Sequence, residues 1–454
     1  MKIDSTHWQN RLTTLARKHG IVGASLAIAK DDVTLTAVTG VLNLRSVQPV
    51  TADALFQVGS ITKVWTATLV MQLVDEGLID LDAPLVRYLP EFRIADPAIS
   101  ATVTTRQLLS HTSGIDGDLF LDTGRGDDAL AKYVAAMASL TRVVPPARTM
   151  SYCNSGYSLL GHLVATLRGK TWERVLQERL LKPLGLGSAG TLPEEALLHA
   201  AAAGHLQHAG AAEPFVSPRW TLDRSAGPAG LLHSTAAQQL LFARMHLDGG
   251  LAADGTRLLS EASVQAMLVP QVEIPDRWLL GSHWGLGWIL NSWGDQPVYG
   301  HDGTTFGQNG FLRILPRSRL SICLLSNGGK SPRGLFHELF SEIASDLAGV
   351  APPALPEVRP EQPLDASHYA GRYWREGVEV LIDEHEGSLR MTQIPKPFPG
   401  MPIVNPVFTL RPHSEGVLIM CAQGEETGAP VVFFDLDGQR FMHFGARTVA
   451  RAAD

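Results

Sequence analysis

A proline-rich segment near the C-terminal end limits what this chain can fold into. Residues 351–363 are dense in proline, which favours a stiff and extended linker. The chain has 454 residues, more than one hydrophobic core usually serves. We therefore predict two domains, residues 1–350 and 364–454, joined by the linker 351–363.

The sequence before the linker combines strand patterns at both ends with helical patterns between them. Residues 24–29 and 33–38 predict a hairpin, and residues 310–315 and 320–325 predict another. Residues 116–300 are mainly helical in pattern. This arrangement predicts an α+β domain, an antiparallel sheet flanked by helices with an all-helical subdomain.

The sequence after the linker has a different pattern. From Tyr369 onward, six short alternating apolar runs follow one another without a helix between them. Closely spaced short strands of this kind are typical of an antiparallel barrel or sandwich. We predict a small C-terminal antiparallel β-barrel.

The most informative short motif is Ser60-Ile61-Thr62-Lys63. Apolar residues recur after it with helical spacing, which predicts a helix that begins near Ser60 and stops at Gly77. Side chains three residues apart lie on the same face of a helix. A hydroxyl beside an amine at a helix N-terminus suits nucleophilic catalysis, although a serine there can also be a plain N-cap.

Two further segments could complete such a site. In Tyr152-Cys153-Asn154 the first and third side chains can point into one cleft while Cys153 points away. In His301-Asp302-Gly303-Thr304 the glycine would let a substrate backbone approach closely. Each segment is common when it stands alone.

Taken together and in this order, the three motifs resemble the serine β-lactamase and penicillin-binding-protein superfamily. The match is closest to its group of class C β-lactamases, DD-peptidases, D-aminopeptidases and carboxylesterases. It covers roughly residues 10–350, with supporting likeness at residues 108–115 and 225–231. Some members of the group carry a lipocalin-like C-terminal barrel, which the tail from Tyr369 resembles.

The resemblance implies a role for each matching residue. Ser60 would be the nucleophile, and Lys63 with Tyr152 would remove its proton. Asn154 would hold Lys63 and the substrate amide, and His301 would complete the wall facing the leaving group. The residues that bind substrate would also include Gly303 and Thr304, because the oxyanion would sit between the backbone N–H groups of Ser60 and Thr304.

The third motif departs from the usual pattern of the family. Histidine replaces the lysine that most members have, and an acidic residue, Asp302, follows it. Because a histidine with an ordinary pKa of about 6.5 is largely neutral near pH 7, both changes should weaken a cationic pocket for a substrate carboxylate. We therefore expect a serine hydrolase for an ester, or for an amide or peptide with a D-residue, rather than β-lactam resistance.

Composition limits the partners and the location. The formal net charge is -7 and the sequence has no runs of basic residues, so we expect neither nucleic acid nor a membrane surface as a partner. The N-terminus lacks the apolar core of a secretory signal and the three cysteines are an odd number, so we expect a cytoplasmic protein with free thiols. No metal or cofactor is expected.

Two other functions stay open at this stage. A cytoplasmic member with a C-terminal barrel also resembles the penicillin-binding-protein-type thioesterases, which release and cyclise nonribosomal peptides. A carrier protein is a further candidate partner in that case. A non-catalytic binding protein on the same fold is the other alternative. The barrel could bind substrate, cover the cleft or pair chains, and we expect a chain ending at Val350 to fold without it.

Overall fold

An antiparallel sheet forms the centre of the first domain. The computed structural model describes residues 3–208, 211, 213–396, 404–422 and 424–452. Within them the sheet has eight strands. In spatial order they are β2 (Val33–Gly40), β1 (Gly23–Lys30), β12 (Leu320–Ser326), β11 (Asn309–Leu315), β10 (Gln296–Thr304), β9 (Ile289–Trp293), β8 (His283–Trp284) and β7 (Val272–Glu273). As predicted, its strands come from both ends of the domain.

Helices cover both faces of this sheet, which explains why its central strands are apolar on both sides. One face packs on α1 (Ser5–Lys18) and α12 (Pro332–Ala348). The other face packs on α10 (Ala236–Leu247) and on the core around α2 (Thr62–Asp75). The remaining helices are α3 (Pro97–Thr102), α4 (Thr105–Leu109), α5 (Ala129–Ala136), α6 (Asn154–Arg168), α7 (Trp172–Leu176), α8 (Pro193–Ala196), α9 (Gly227–Gly230) and α11 (Glu261–Met267).

The helix after Ser60 differs from its predicted form in one respect. The periodicity predicts one apolar face, but α2 is buried on all sides from Thr62 to Leu73. Polar side chains of the helix form hydrogen bonds inside the protein, as when Thr66 Oγ1 donates to Pro228 O at 2.7 Å. The helix that carries Lys63 therefore runs through the core, and its position is fixed by packing on every side.

The prediction that residues 116–300 are mainly helical is wrong for their last part. Strands β7, β8, β9 and the start of β10 occupy much of residues 272–300 and extend the sheet. Two of these strands have only two residues, too few to display an alternating pattern. Two small pairs complete the domain, β3 (Phe56–Gln57) with β6 (His233–Ser234) and β4 (His205–Leu206) with β5 (Phe215–Val216).

The C-terminal part is a nearly closed antiparallel barrel with eight strands among the described residues. They are β13 (Gly371–Arg375), β14 (Val378–His385), β15 (Ser388–Pro395), β16 (Val407–Ser414), β17 (Val417–Cys421), β18 (Gly428–Leu436), β19 (Gln439–Phe444) and β20 (Arg447–Ala450). A bridge between Tyr373 and Arg451 joins the first and last strands. The predicted α+β class with a C-terminal barrel is confirmed, although the sequence pattern missed β13 and β20.

The barrel is attached to the first domain by more than the linker, in which residues 351–363 form neither helix nor strand. The turn between β19 and β20 lies on the backbone around Tyr152, where Tyr152 N donates to Ala446 O at 2.9 Å. Thr448 Oγ1 donates to Met150 O at 2.7 Å. No helix of the described residues has the length and apolar character needed to cross a membrane.

Candidate active site

Ser60 lies in a tight turn that leads into α2. The turn spans Gly59–Ile61 as a 3₁₀ helix, and Thr62 Oγ1 fixes it by donating to Gly59 O at 2.6 Å. Gly59 has φ +54, and a Cβ there would lie 2.5 Å from the backbone nitrogen of Thr304. Only glycine permits this conformation and this contact at low cost. The sequence therefore places Ser60 at a helix start, close to the end of β10.

Lys63 lies directly behind Ser60 and is fully buried. Its Nζ is 3.1 Å from Ser60 Oγ, 2.7 Å from Asn154 Oδ1 and 2.7 Å from Ala229 O. Burial, helped by the positive charge of Arg447, lowers the pKa of Lys63 well below its usual value. The geometry brings together an alcohol and an amine whose neutral form is favoured.

Tyr152 and Asn154 point into the same cleft, as the alternation predicts. Burial raises the pKa of the Tyr152 phenol above its usual value, and the neighbouring Ser60 hydroxyl opposes this shift. Cys153 faces the other way. Its sulfur accepts from Gly156 N at 3.2 Å at the start of α6, and burial raises the thiol pKa to about 12. Cys153 is thus a packed thiol and helix cap.

His111 is a buried neighbour of this segment that has no predicted role. Its Nδ1 accepts from Cys153 N at 3.0 Å, and its ring lies 4.3 Å from the Tyr152 ring, centroid to centroid. Burial lowers its pKa well below 6.5, so the ring is neutral. The Ser-His-Thr-Ser-Gly sequence of residues 110–114 is the pattern from which His111 could have been predicted as part of the site. His111 holds the backbone between Tyr152 and Asn154.

His301 lies on β10, on the wall across from Tyr152. Its Nδ1 is 2.6 Å from Asp302 O, and its Nε2 is buried without a hydrogen-bond partner in the described part of the chain. Burial, followed by the charge of Lys63, lowers the His301 pKa to about 3. The expectation of a neutral histidine at this position therefore agrees with its surroundings.

The end of β10 approaches the Ser60 turn so closely that only glycine fits at position 303. A Cβ on Gly303 would lie 1.9 Å from Val58 O and 2.8 Å from Ser60 N. The next residue, Thr304, ends the strand, with its backbone nitrogen against Gly59. The backbone N–H groups of Ser60 and Thr304 therefore belong to adjacent segments, the arrangement that an oxyanion hole needs.

Replacement of Gly303 by alanine should damage this arrangement. Because the added methyl meets backbone atoms on the Ser60 turn, the two segments must separate. Loss of one oxyanion donor costs about 10²–10³ in kcat, and we expect a decrease of that size with little change in KM. Gly187→Ala is the matched control, since a Cβ there has nothing within 4 Å. Steady-state kinetics of both variants check the prediction, and equal rates would contradict it.

Asp302 does not add a free negative charge to the cleft. Its carboxylate pairs with Arg313 at 2.6 Å and with Arg333 at 3.2 Å. The guanidinium groups outweigh burial and keep the Asp302 pKa below its usual value. Asp302 offsets positive charge in the cleft, as the sequence interpretation expects, but Arg333 lines the same cleft and supplies a cation that the sequence did not indicate.

A second charged cluster comes from residues that no motif marks. Asp118 is buried, and its Oδ1 accepts from Asn154 Nδ2 at 2.9 Å. Two arginines of the barrel, Arg375 and Arg447, pair with the same carboxylate. The Arg447 guanidinium also lies 4.8 Å from the centre of the Tyr152 ring. Each arginine lies more than 250 positions after Asp118 in the sequence, so no short motif could have predicted these ion pairs.

These groups surround one cleft of about 410 Å³. The residues proposed from the sequence that line it are Ser60, Tyr152, Asn154, His301, Gly303 and Thr304. Its other lining is largely apolar and includes Leu119, Phe120, Leu121, Leu279, Leu280 and Trp284. The barrel contributes Gly445, Ala446 and Arg447. No group of three metal-binding side chains is arranged around a metal-sized space in the described residues.

Asp276 is a buried carboxylate in this cleft. It accepts from the backbone N–H groups of Trp278 and Leu279, and burial raises its pKa to about 6. Between about pH 4 and pH 6 the carboxyl group is therefore protonated in the folded state and ionised in the unfolded state. In this range, stability decreases as the pH rises.

Asp276→Asn should consequently stabilise the protein above pH 6. The amide oxygen can still accept from both N–H groups, and the charge is gone, so we expect a gain of about 2–3 kcal/mol at pH 7.5. The gain should shrink toward zero near pH 4. Urea unfolding at both pH values measures it, with the exposed Asp295→Asn as control. A gain that is the same at pH 4 and pH 7.5 would rule out the proton-linked cause.

The comparison with protein families agrees with this geometry. The Beta-lactamase family model matches residues 8–340. Penicillin-binding protein 4 of Amycolatopsis lactamdurans is 46% identical over 385 residues, which are 83% of this chain and 99% of that protein. The chain belongs to the beta-lactamase family. This is a family of serine hydrolases, and the family predicted from the three motifs is confirmed.

Solved structures of the same fold extend the likeness to the barrel. A crystal structure of SurE is 28% identical with a TM-score of 0.77, and the match covers 99% of both chains. A structure of SurE with D-Leu has a TM-score of 0.74 at the same identity and coverage. D-amino acid amidase from Ochrobactrum anthropi SV3 shares the fold at 23% identity and a TM-score of 0.61, over 74% of this chain and 98% of that chain.

Proposed function

We propose that this beta-lactamase family member is a hydrolase that forms an acyl-enzyme on Ser60. Its substrate would be an ester, or an amide or peptide with a D-residue. The observation that carries the proposal is the position of Lys63 Nζ, 3.1 Å from Ser60 Oγ and held from behind by Asn154 Oδ1 and Ala229 O. A neutral amine has two N–H groups, which match those two oxygens. Its lone pair is then left for the proton of Ser60.

The surroundings support a division of roles between Lys63 and Tyr152. Because its pKa is lowered, Lys63 can accept the Ser60 proton while Oγ attacks the substrate carbonyl. The carbonyl oxygen becomes an oxyanion between the N–H groups of Ser60 and Thr304. The Tyr152 phenol keeps its proton because its pKa is raised, and it can protonate the leaving group. Water then attacks the ester, and the same groups transfer protons in the reverse order.

The lining of the cleft supports an apolar acyl group. Phe120 and Leu121 are exposed at its mouth, although large apolar side chains usually avoid water. The structure of SurE with D-Leu supports a residue of D-configuration with an aliphatic side chain. We therefore propose D-aminoacyl esters and amides with large apolar side chains as the first substrates to test.

Intact-mass spectrometry with a fluorophosphonate probe tests the nucleophile. We expect one adduct, on Ser60, and none on Ser60→Ala. The exposed Ser46→Ala serves as control and should label like the parent. The same samples are then given nitrophenyl esters and paired D- and L-aminoacyl amides. No adduct and no acid release would support the alternative of a non-catalytic binding protein.

The barrel favours a second candidate, a thioesterase of the penicillin-binding-protein type that cyclises a peptide. Such enzymes resemble this chain in their C-terminal barrel, and here the barrel covers one side of the cleft with Gly445, Ala446 and Arg447. Hydrolysis and cyclisation differ only in whether water or the peptide's own amine attacks the acyl-enzyme. A peptidyl thioester on a small thiol or on a carrier protein distinguishes them, since a cyclic product supports this candidate and free acid alone opposes it.

A further inference from the structure

Asp118 connects the barrel to the group that holds Lys63. Asn154 donates from Nδ2 to Asp118 Oδ1 at 2.9 Å, and its own Oδ1 accepts from Lys63 Nζ at 2.7 Å. A side-chain amide can be rotated so that its oxygen and nitrogen exchange places. Because the carboxylate accepts hydrogen bonds only, it forces the Asn154 nitrogen toward itself. The oxygen must then face Lys63.

The barrel supplies the charges that compensate this carboxylate. Arg447 binds both oxygens of Asp118, through Nε at 3.1 Å and Nη2 at 3.0 Å, while its Nη1 donates to Gly445 O at 2.9 Å. Arg375 adds another hydrogen bond to the same carboxylate. Each nitrogen of Arg447 therefore makes a hydrogen bond within the protein, and two of the three bonds go to Asp118.

The charges around Lys63 show what these arginines change. Besides burial, the strongest electrostatic influences on Lys63 are Arg447, which lowers its pKa, and Asp118, which raises it. The other titratable groups that face it are Cys153, Tyr152 and Tyr157 near α6, His111 before that helix and His301 on β10. The pKa values of the thiol and phenols are raised and those of the histidines lowered, so these groups are neutral.

We propose that Asp118, Arg375 and Arg447 form a positioning cluster by which the docked barrel completes the catalytic site. The carboxylate orients Asn154, and the two guanidinium groups more than offset its single negative charge, so that Lys63 faces Ser60 as a neutral amine. The inference rests on the proposed function, in which Lys63 accepts the proton of Ser60. It assigns the barrel a direct part in catalysis, in addition to its place in the wall of the cleft.

The pH dependence of Ser60 labelling by a fluorophosphonate tests this cluster in the full-length protein. In Arg447→Met one compensating charge is lost, so Asp118 should stabilise the ammonium form of Lys63. We expect the acid limb of the labelling rate to move up by about one pH unit, which lowers the rate about tenfold at pH values below the parent limb. Arg447→Lys keeps the charge and should retain most of the parent profile.

A double variant separates charge from packing. Asp118→Asn removes the carboxylate that Arg447 compensates, so Asp118→Asn/Arg447→Met should bring the acid limb back toward the parent value. Arg390→Met removes an arginine that pairs with Asp383 elsewhere on the barrel, and its profile should match the parent. Circular dichroism at each pH confirms that the variants are folded. If Arg447→Met does not fold, Arg375→Met removes the other compensating charge and should shift the limb in the same direction.

Two failures can be told apart. An acid limb that stays at the parent pH in the folded arginine variants, with or without a uniform loss of rate, would overturn the positioning cluster and leave the acyl-enzyme intact. Absence of any Ser60 adduct in the parent at every pH would instead overturn the proposed function itself. A limb that moves in Arg447→Met but does not return in the double variant would also contradict the charge mechanism.

Discussion

Lys63→Met is expected to lower the rate of Ser60 acylation by about 10²–10⁴, the usual contribution of a general base. Methionine has nearly the length of lysine and suits a fully buried position, so the helix should keep its packing. What it lacks is a nitrogen 3.1 Å from Ser60 Oγ that can take the proton. Labelling rates measured in stopped-flow or quenched-flow experiments give the effect directly.

The exposed Lys182→Met is the matched control for this experiment and should acylate like the parent. Tyr152→Phe supplies the second comparison, because it removes the only other candidate base proposed from the sequence. If Lys63→Met retains more than a tenth of the parent rate while Tyr152→Phe loses all of it, the phenol is the proton acceptor. A loss in both variants fits the proposed division, with Lys63 as base and Tyr152 as the proton donor.

The parts of this site that the sequence predicts are those determined by neighbouring residues. The start of α2 near Ser60 follows from the apolar period after it, and the end of α6 follows from Gly169, which has φ +63. The opposite directions of Tyr152 and Cys153 follow from simple alternation. In each case the deciding interaction lies within one or two helical turns.

The parts that the sequence does not predict depend on distant contacts. The burial of α2 on all sides is decided by α6, α9 and other helices packed against it, while periodicity indicates only one apolar face. Strands β7 and β8 exist because β9 is available to extend the sheet, since two residues carry no pattern of their own. The ion pair of Asp118 with Arg447 joins positions separated by 329 residues. The docked barrel supplies both arginines that pair with this aspartate.

A chain that ends at Val350 is expected to lose nearly all acylation activity and to unfold at a lower urea concentration. We still expect such a chain to fold, as the domain boundaries suggest. Its stability should be lower, because it loses the contacts of the barrel. Without the barrel, Asp118 loses its hydrogen bonds to both arginines, and the surface that the barrel covers becomes exposed to water. Asp116 also loses the hydrogen bond from Glu376 N.

The loss of activity should exceed what instability explains. The truncated chain lacks the wall formed by residues 445–447, and Tyr152 N no longer has Ala446 O to donate to.

Labelling of Ser60 is therefore compared at 10 °C, under conditions where circular dichroism shows the truncated chain to be folded. Adding residues 364–454 as a separate fragment is the control, because contacts rather than covalent connection should restore the rate. A truncated chain that labels like the parent, with the same unfolding midpoint, would show that the barrel is dispensable. Partial rescue by the fragment would instead show that the contacts of the docked barrel, including those with Asp118 and the wall of residues 445–447, restore the rate.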